Sequence, residues 1–377
     1  MTTTADGRNT LARLAVGRDN NLNLIRLLAA FAVLVGHSVP LATGAGGGTE
    51  PFARSLGIPL GAMAVDLFFV VSGFLVAGSL LSREDPIDFF WGRALRVFPA
   101  LVVVVALTVL GLGLAFTTLT ASAYLTDRGT WLHLAKNASL VSIDYVLPGV
   151  FETNPYPRAV NGSLWTLPIE VRLYAALLSV WALCLAVRRR APRACSVAIL
   201  VLALGSTAWH LREHFHPGPH VHTVRLVSMF FGGASFYVLR ARIALSRTAF
   251  GACVLALVAA AADTRAFFFV YAATLAYVVL FLAYVPSGAL RQYNRLGDYS
   301  YGTYIYAFPV QQSVAALIPG IGVAPLAAIA GAITLLCAAL SWHLVESPAL
   351  ALRARCVQAT RAMGRRPIRL NASPPRT

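Results

Sequence analysis

The stretch from Asn21 to Ser38 combines a long apolar run with two ionisable side chains, Arg26 and His37. They are eleven residues apart, which is three helical turns plus about 20°, so both lie on one helix face, about 16 Å apart along the axis. An ionisable group at membrane depth costs about 2.5–3.5 kcal/mol and therefore faces a protein interior or an aqueous cavity. An imidazole exchanges protons near neutral pH, which makes His37 a candidate general base.

Two further arginines, Arg93 and Arg96, occur in the segment FFWGRALRVFPAL. Their i,i+3 spacing places them on one face of a helix. We expect this helix to be short, to lie at the inner membrane surface, and to end before Pro99 opens the next span. A guanidinium binds phosphate through two parallel hydrogen bonds, so the pair is suited to a phosphorylated ligand. Positive-inside anchoring explains the same pair equally well from spacing alone.

Carboxylates also occur within apolar runs. Asp66 lies in GAMAVDLFFVVSGFL, and NGSLWTLPIEVRLY places Glu170 and Arg172 in the outer half of a predicted helix. Because His37 is also in the outer half of its helix, a carboxylate such as Glu170 could orient the imidazole and stabilise its protonated form. Each of these residues alone is also compatible with an ordinary hydrogen bond between helices.

These residues belong to a chain in which 58% of the 377 residues are hydrophobic and 12% are charged. The apolar residues fall in blocks near the 20 residues that a membrane span needs, so we predict an all-α, polytopic transmembrane bundle of about ten spans. The predicted spans are 22–40, 60–82, 96–117, 164–187, 194–210, 223–240, 247–262, 265–284, 300–317 and 322–344.

The net charge of +16 is explained by topology, without a nucleic-acid partner. Most of the arginines fall in alternate loops and in the two terminal segments, so the positive-inside rule predicts that both termini are cytoplasmic. We therefore divide the chain into a cytoplasmic segment (1–21), a transmembrane domain (22–350) and a basic cytoplasmic tail (351–377) that we expect to be disordered. The five cysteines lack CxxC spacing, and we predict neither a metal site nor a disulfide framework. We expect the histidines of HLREHFHPGPHVH to lie on a solvated, mobile loop.

Taken in order, these stretches resemble the acyltransferase 3 family of bacterial integral membrane O-acyltransferases, over about residues 20–350. Arg26 and His37 match its R-x10-H signature, and Arg93 and Arg96 match its R-x-x-R signature. VDLFFVVSGFL looks like its FFxxSGF segment, SLWTLPIEVRLY is similar to its W-x-L-x-x-E-x-x-x-Y element, and YSYGTYIYAFPVQ and HLVESP look like its final helices. Members often carry histidine where this chain has Ala307.

The resemblance implies transfer of a small acyl group, most often acetyl from acetyl-CoA, to a hydroxyl of a carbohydrate or another polar acceptor. Acyl-CoA is then a co-substrate, and no cofactor is needed. The implied roles are His37 and Glu170 in catalysis and Arg26, Arg93 and Arg96 in donor binding; Asp66, Trp165, Arg172 and Tyr174 would contact the acceptor or support the site. The implied location is the bacterial cytoplasmic (inner) membrane, where the chain contacts the bilayer and could form a homo-oligomer.

Two other functions remain open at this point. A secondary transporter of a small polar solute also needs intramembrane His, Asp, Glu and Arg, although the chain lacks the repeated halves that are typical of transporters. A polytopic glycosyltransferase with a lipid-linked donor is the other alternative. The first outer loop gives it little support, because Glu50 is its single acidic residue.

Overall fold

The computed structural model describes residues 10–17 and 19–364. Within these residues the chain is helical, with three isolated β-bridges and no β-sheet. Eleven helices matter here: α1 Leu22–Thr43, α2 Leu60–Arg83, α3 Pro86–Leu107, α4 Thr166–Val187, α5 Ala194–Phe215, α6 Val221–Leu239, α7 Arg247–Ala260, α8 Thr264–Tyr284, α9 Ser300–Leu317, α10 Val323–Ser341 and α11 Arg353–Gly364.

The all-helical prediction is confirmed, and a helix occupies each of the ten predicted spans. In the described part of the chain, seven helices are long and apolar enough to cross a membrane: α1, α2, α3 with its continuation to Phe116, α4, α5, α8, and α10 with its continuation to Met363. The other three are α6, α7 and α9, of which α7 has 14 residues. The number of spans therefore stays a prediction.

The predicted break at Pro99 is wrong. Helix α3 begins at Pro86 and passes through Pro99 to Leu107, so Arg93 and Arg96 lie within one long helix. Its start is fixed by Asp85, whose carboxylate accepts hydrogen bonds from the backbone N–H groups of Ile87 and Asp88, both at 3.1 Å, and by proline at the first helical position. Proline inside a transmembrane helix is tolerated because neighbouring groups satisfy the freed carbonyl.

The expected disorder after residue 351 is also wrong where the structure describes that segment. Residues Arg353–Gly364 form α11, which lies along the first turns of α3. Asp88 pairs with Arg353 at 2.7 Å, Asp85 pairs with Arg361, and the indole N–H of Trp91 donates to Thr360 at 2.9 Å. The carboxylates in the first turns of α3 thus hold a segment whose composition alone predicts no fold. Residues 365–377 lie outside the described residues.

Helix α2 is central, since it packs against α1, α6 and α8. Its crossing with α6 requires glycine on both sides: a Cβ at Gly73 would lie 1.8 Å from the carbonyl oxygen of Phe230, and one at Gly233 would lie 2.0 Å from that of Val70. Small residues allow this backbone contact between membrane helices. The contact fixes the rotation of α2 and therefore the direction in which Ser72 points.

The segment between α3 and α4 forms an ordered cover over the end of the bundle where α1 ends. It contains helices Ala121–Thr126 and Arg128–Ser139. Gln312 of α9 holds it by donating to the carbonyls of Tyr156 (2.8 Å) and Ala159 (2.6 Å) and by accepting from Asn154 (2.7 Å).

The histidine tract differs from the expected mobile loop. His210 and His214 lie within α5, where the ring of His214 stacks on Phe268 at 3.7 Å. The aromatic surface of α8 thus extends α5 beyond its predicted end. In the described residues, no group of three or more His, Cys, Asp or Glu side chains is arranged to hold a metal ion.

Candidate functional site

A cavity of about 770 Å³ runs along α2 and contains most of the predicted site. Residues of α2 line it from Val65 to Arg83, a distance of about 27 Å along the helix axis. Exposure distinguishes its two ends: Val16 and the Arg83 side chain are 70% and 56% exposed, whereas Val65 is 7% exposed. We call the Arg83 end the mouth and the Val65 end the closed end. The volume is within the range of about 300–1,000 Å³ that is usual for small-molecule and cofactor sites.

Arginines dominate the polar lining of this cavity. Asp298 accepts hydrogen bonds from two of them, Arg26 at 2.5 Å and Arg96 at 2.6 Å, and Glu346 pairs with Arg96 at 3.2 Å. Burial alone would raise the pKa of Asp298, but Arg26 and Arg96 outweigh burial and lower its pKa from 3.8 to about 2. The carboxylate is therefore ionised at neutral pH. The five cavity-lining arginines are Arg26, Arg83, Arg93, Arg96 and Arg353.

Arg93 differs from the other four because no carboxylate contacts it within the described residues. Its Nε is buried without a hydrogen-bond partner, and its guanidinium lies 5.9 Å from the ring centre of Tyr174. A desolvated cation without a hydrogen-bonded counter-ion is costly, and Glu170 acts on Arg93 only at longer range. The position is consequently suited to an anionic ligand.

Glu170 enters the cavity from the second turn of α4. Its Oε1 accepts hydrogen bonds from the hydroxyls of Ser72, at 2.9 Å, and of Tyr174, one turn later on α4. The two hydroxyls also lie 3.2 Å from each other. This triangle fixes the carboxylate in the wall between α2 and α4.

His37 lies outside the cavity lining. Its ring meets Phe308 of α9 edge-on, with the ring centres 5.4 Å apart, and its Nδ1 is buried without a hydrogen-bond partner in the described structure. Phe308 follows Tyr304, a residue of the cavity wall, by one helical turn. The structure shows no contact between His37 and Glu170, so the role of Glu170 as the residue that orients His37 stays a prediction.

Besides His37, three predicted residues lie away from the cavity. Asp66 is fully buried and contacts Arg225 at 3.2 Å and the hydroxyl of Tyr271 at 3.1 Å, which ties α2 to α6 and α8. Trp165 precedes α4 and meets His222 edge-on. Arg172 is exposed on α4, about 200° around the helix from Glu170.

Comparison with known proteins decides the family. The family described as "Acyltransferase domain", acyltransferase 3, matches residues 19–343. The chain belongs to this family. An "O-acetyl transferase" of Shigella phage Sf6 is 28% identical over 87% of this chain and 95% of its own. "Nodulation protein 10" of Rhizobium leguminosarum bv. viciae is 30% identical over 90% of this chain and 96% of its own. No solved structure matches the chain significantly.

The protein is thus an acyltransferase that catalyses O-acyl transfer, and its apolar helices make it a multi-pass membrane protein. Its R-x-x-R arginines and the arginine of its R-x10-H signature meet in one cavity, although 67 residues of sequence separate Arg26 from Arg93.

Sequence reasoning missed Asp298 and Glu346, which pair with cavity-lining arginines, and Arg353, which lines the cavity itself. Charge balance could have signalled the first two, because arginines buried in apolar helices need carboxylates close by. Asp298 comes just before the predicted span at residue 300, and Glu346 just after the one that ends at 344. Arg353 gave no such signal, since it begins a basic segment that resembles any solvated tail.

Proposed function

We propose that this acyltransferase moves an acyl group, acetyl in the first instance, from acyl-CoA to a hydroxyl of a carbohydrate or a related polar acceptor. The observation that carries the proposal is the unpaired Arg93 in a cavity lined by arginines. A cavity with an open cation site is suited to the phosphates of a coenzyme A donor. The name of the phage relative supports acetyl as the transferred group.

The shape of the cavity suits this donor. Coenzyme A carries its phosphates at one end and its thioester at the end of a long, flexible pantetheine arm. With the phosphates near Arg93 and Arg96, the arm would extend past Arg26 towards His37. The distance of about 16 Å between Arg26 and His37 along α1 is of the order of that arm's reach.

In the proposed reaction, His37 removes the proton from the acceptor hydroxyl as its oxygen attacks the thioester carbonyl. The C–S bond breaks, and the coenzyme A thiolate leaves and is protonated. Glu170 either orients His37 or holds the acceptor, and the segment between α3 and α4 covers the acceptor side. Phe308 packs on His37 and follows the cavity-lining Tyr304 by one helical turn, and in the proposed reaction the acyl group reaches His37 after this ring moves.

The distribution of arginine supports a cytoplasmic mouth in a bacterial inner membrane. Donor would enter from the cytoplasm, and the acylated product would appear on the opposite side. The purified protein tests the first step: incubated with radiolabelled acetyl-CoA, it should transfer label to a suitable glycan hydroxyl. Absence of both transfer and hydrolysis, together with absence of acetyl-CoA binding, would overturn the proposal.

Sealed proteoliposomes of known orientation test the sidedness separately. Acetyl-CoA supplied at the Arg93 side should acylate an impermeant acceptor supplied at the other side. A requirement for both substrates on the same side would reject transfer across the membrane, and the acyltransferase activity itself would remain.

A further inference from the structure

Arg353 places a charged group of the C-terminal helix on the wall of the cavity. It is the first residue of α11, and its side chain is 25% exposed at the mouth. Asp88 holds the guanidinium through two parallel bonds: Nε donates to Oδ1 and Nη2 to Oδ2, both at 2.7 Å. Nη2 also donates to the backbone carbonyl of Asp88 at 3.2 Å. The Nη1 group makes no hydrogen bond in the described structure.

The surface of α3 is shaped to receive this guanidinium. A Cβ on Gly92 would lie 2.8 Å from the Cζ of Arg353 and 3.0 Å from its Nη2. Glycine at this position therefore lets the guanidinium lie directly on the helix. Gly92 also lines the cavity and precedes Arg93, so the two arginines come from adjacent parts of the same wall.

The charges at the mouth are not balanced by their local partners. Asp88 also pairs with Arg83, at 2.8 Å, so one carboxylate serves two arginines. In the deeper part of the cavity, Arg26 and Arg96 have two carboxylates, Asp298 and Glu346. The positive excess thus lies between Arg93 and the mouth, where a polyanion would enter.

We propose that Arg353 is a donor-binding residue that contacts the 3′-phosphate on the ribose of acyl-CoA. The inference rests on the proposed function, because it takes coenzyme A as the donor. If the thioester extends to the closed end, the ribose phosphate, at the other end of the molecule, lies nearest the mouth. The free N–H groups of Nη1 then donate to this phosphate while Asp88 holds the Arg353 guanidinium in place. Helix α11 is consequently part of the donor site.

A donor analogue provides the test. Donor KM is measured for acetyl-CoA and for 3′-dephospho-acetyl-CoA, with the wild type, Arg353→Gln and Arg361→Gln. Arg361 is the matched control: it also ties α11 to α3, through Asp85, but does not line the cavity. We expect Arg353→Gln to raise the KM of acetyl-CoA about 10- to 150-fold and to leave that of the dephospho donor nearly unchanged. Arg361→Gln should affect both donors equally.

Equal effects of Arg353→Gln on the two donors would show that the residue only docks α11, and no effect on either would exclude contact; both results overturn the proposal. If the Gln variant does not fold, Arg353→Lys is used instead, because lysine keeps the positive charge but cannot form the two parallel hydrogen bonds of a guanidinium. A weaker preference for acetyl-CoA over the dephospho donor than in the wild type then supports the contact, and an unchanged preference rejects it. Failure of the wild type to bind or use acetyl-CoA would instead count against the proposed function.

Discussion

The two polar residues of α1 lie in contrasting surroundings. Arg26 contacts a carboxylate at 2.5 Å and lines an arginine-rich cavity. His37, three turns further along the same helix, has a buried ring nitrogen without a partner and packs against Phe308. The helix thus begins in a charged, accessible region and continues into a tightly packed one.

This contrast indicates that the side chains around Arg26 and those around His37 are preorganised to different degrees. Charged groups around Arg26 are fixed by ion pairs before any ligand arrives, which lowers the cost of binding. The imidazole of His37 has no such ion pair in the described structure: its Nδ1 is buried without a partner, although the residue as a whole is partly exposed. Variants at the two ends should consequently affect different quantities. Those near Arg26 should change stability or donor affinity, and those near His37 should change the rate of acyl transfer.

The largest effect is expected from His37→Ala. Loss of a general base lowers the rate by about 10²–10⁴-fold, and donor affinity should stay the same because His37 does not line the cavity. Single-turnover transfer and calorimetric donor binding measure the two quantities. His210→Ala is the control, because its Nδ1 is likewise buried without a partner. Similar loss of activity in both variants would indicate a packing defect and not catalysis.

Asp298→Asn should mainly affect stability. It leaves the largely buried Arg26 and Arg96 with one fewer carboxylate, and removal of one partner from a buried ion pair costs up to about 3–5 kcal/mol. Thermal unfolding in detergent measures the loss. Asp19→Asn is the control, since the Asp19 side chain is 76% exposed in its pair with Arg291 and such pairs contribute about 0–1 kcal/mol.

The effect of Asp298→Asn should also depend on pH. The folded-state pKa of Asp298 lies at about 2, below its ordinary 3.8, so its stabilising contribution is complete above pH 3.8 and is lost as the pH falls towards 2. The difference between wild type and variant should shrink across that window. A difference that stays constant there would mean that the ionised carboxylate is not the source of the stability.

Arg93→Gln should weaken donor binding without destabilising the fold, because Arg93 has no carboxylate partner to leave behind. We expect donor Kd to increase about 10- to 150-fold. This increase corresponds to the free energy of one hydrogen bond to a charged group. Arg172→Gln, which removes an exposed arginine outside the cavity, should leave donor affinity unchanged. Unchanged donor affinity in a folded Arg93→Gln protein would show that Arg93 serves only as a positive-inside anchor.

How far the sequence predicts this molecule depends on the range of the interactions involved. Helix positions follow from apolar runs, which are local, and so does the shared helix face of Arg93 and Arg96. The wrong break at Pro99 arose because a proline signal was weighed without the cap that Asp85 provides fourteen residues earlier. The ion pairs of Asp298 join residues 202 and 272 positions apart, and no local pattern contains such a distance.

The same reasoning explains the uncertain pairing of His37 with Glu170. Helical spacing places each of them in the outer half of its own helix, but it does not set how α1 and α4 are rotated against each other. In the structure, Glu170 instead bonds to Ser72, whose direction depends on the glycine contact between α2 and α6. A single sequence gives no measure of that rotation.

The smallest effect is expected from Phe308→Ala, which tests the boundary between the two halves directly. The ring centre lies 5.4 Å from that of His37, and a Cβ on Gly162 would lie within 3 Å of the ring of Phe308. Without the ring, the cavity should connect to His37 and admit water, so acetyl-CoA hydrolysis in the absence of acceptor should rise by less than about tenfold, which corresponds to 1.4 kcal/mol.

Phe308→Leu provides the control for this variant, since it keeps an apolar side chain in place and should leave hydrolysis close to the wild-type rate. The ratio of hydrolysis to transfer, measured with labelled donor, separates leakage of water from a general loss of activity. The cavity and the surroundings of His37 are proposed to connect only when the ring of Phe308 moves. Donor turnover by the Ala variant should therefore depend less on the presence of acceptor than donor turnover by the wild type. An unchanged ratio would mean that Phe308 does not separate the cavity from His37, and that the acyl group reaches the histidine by another path.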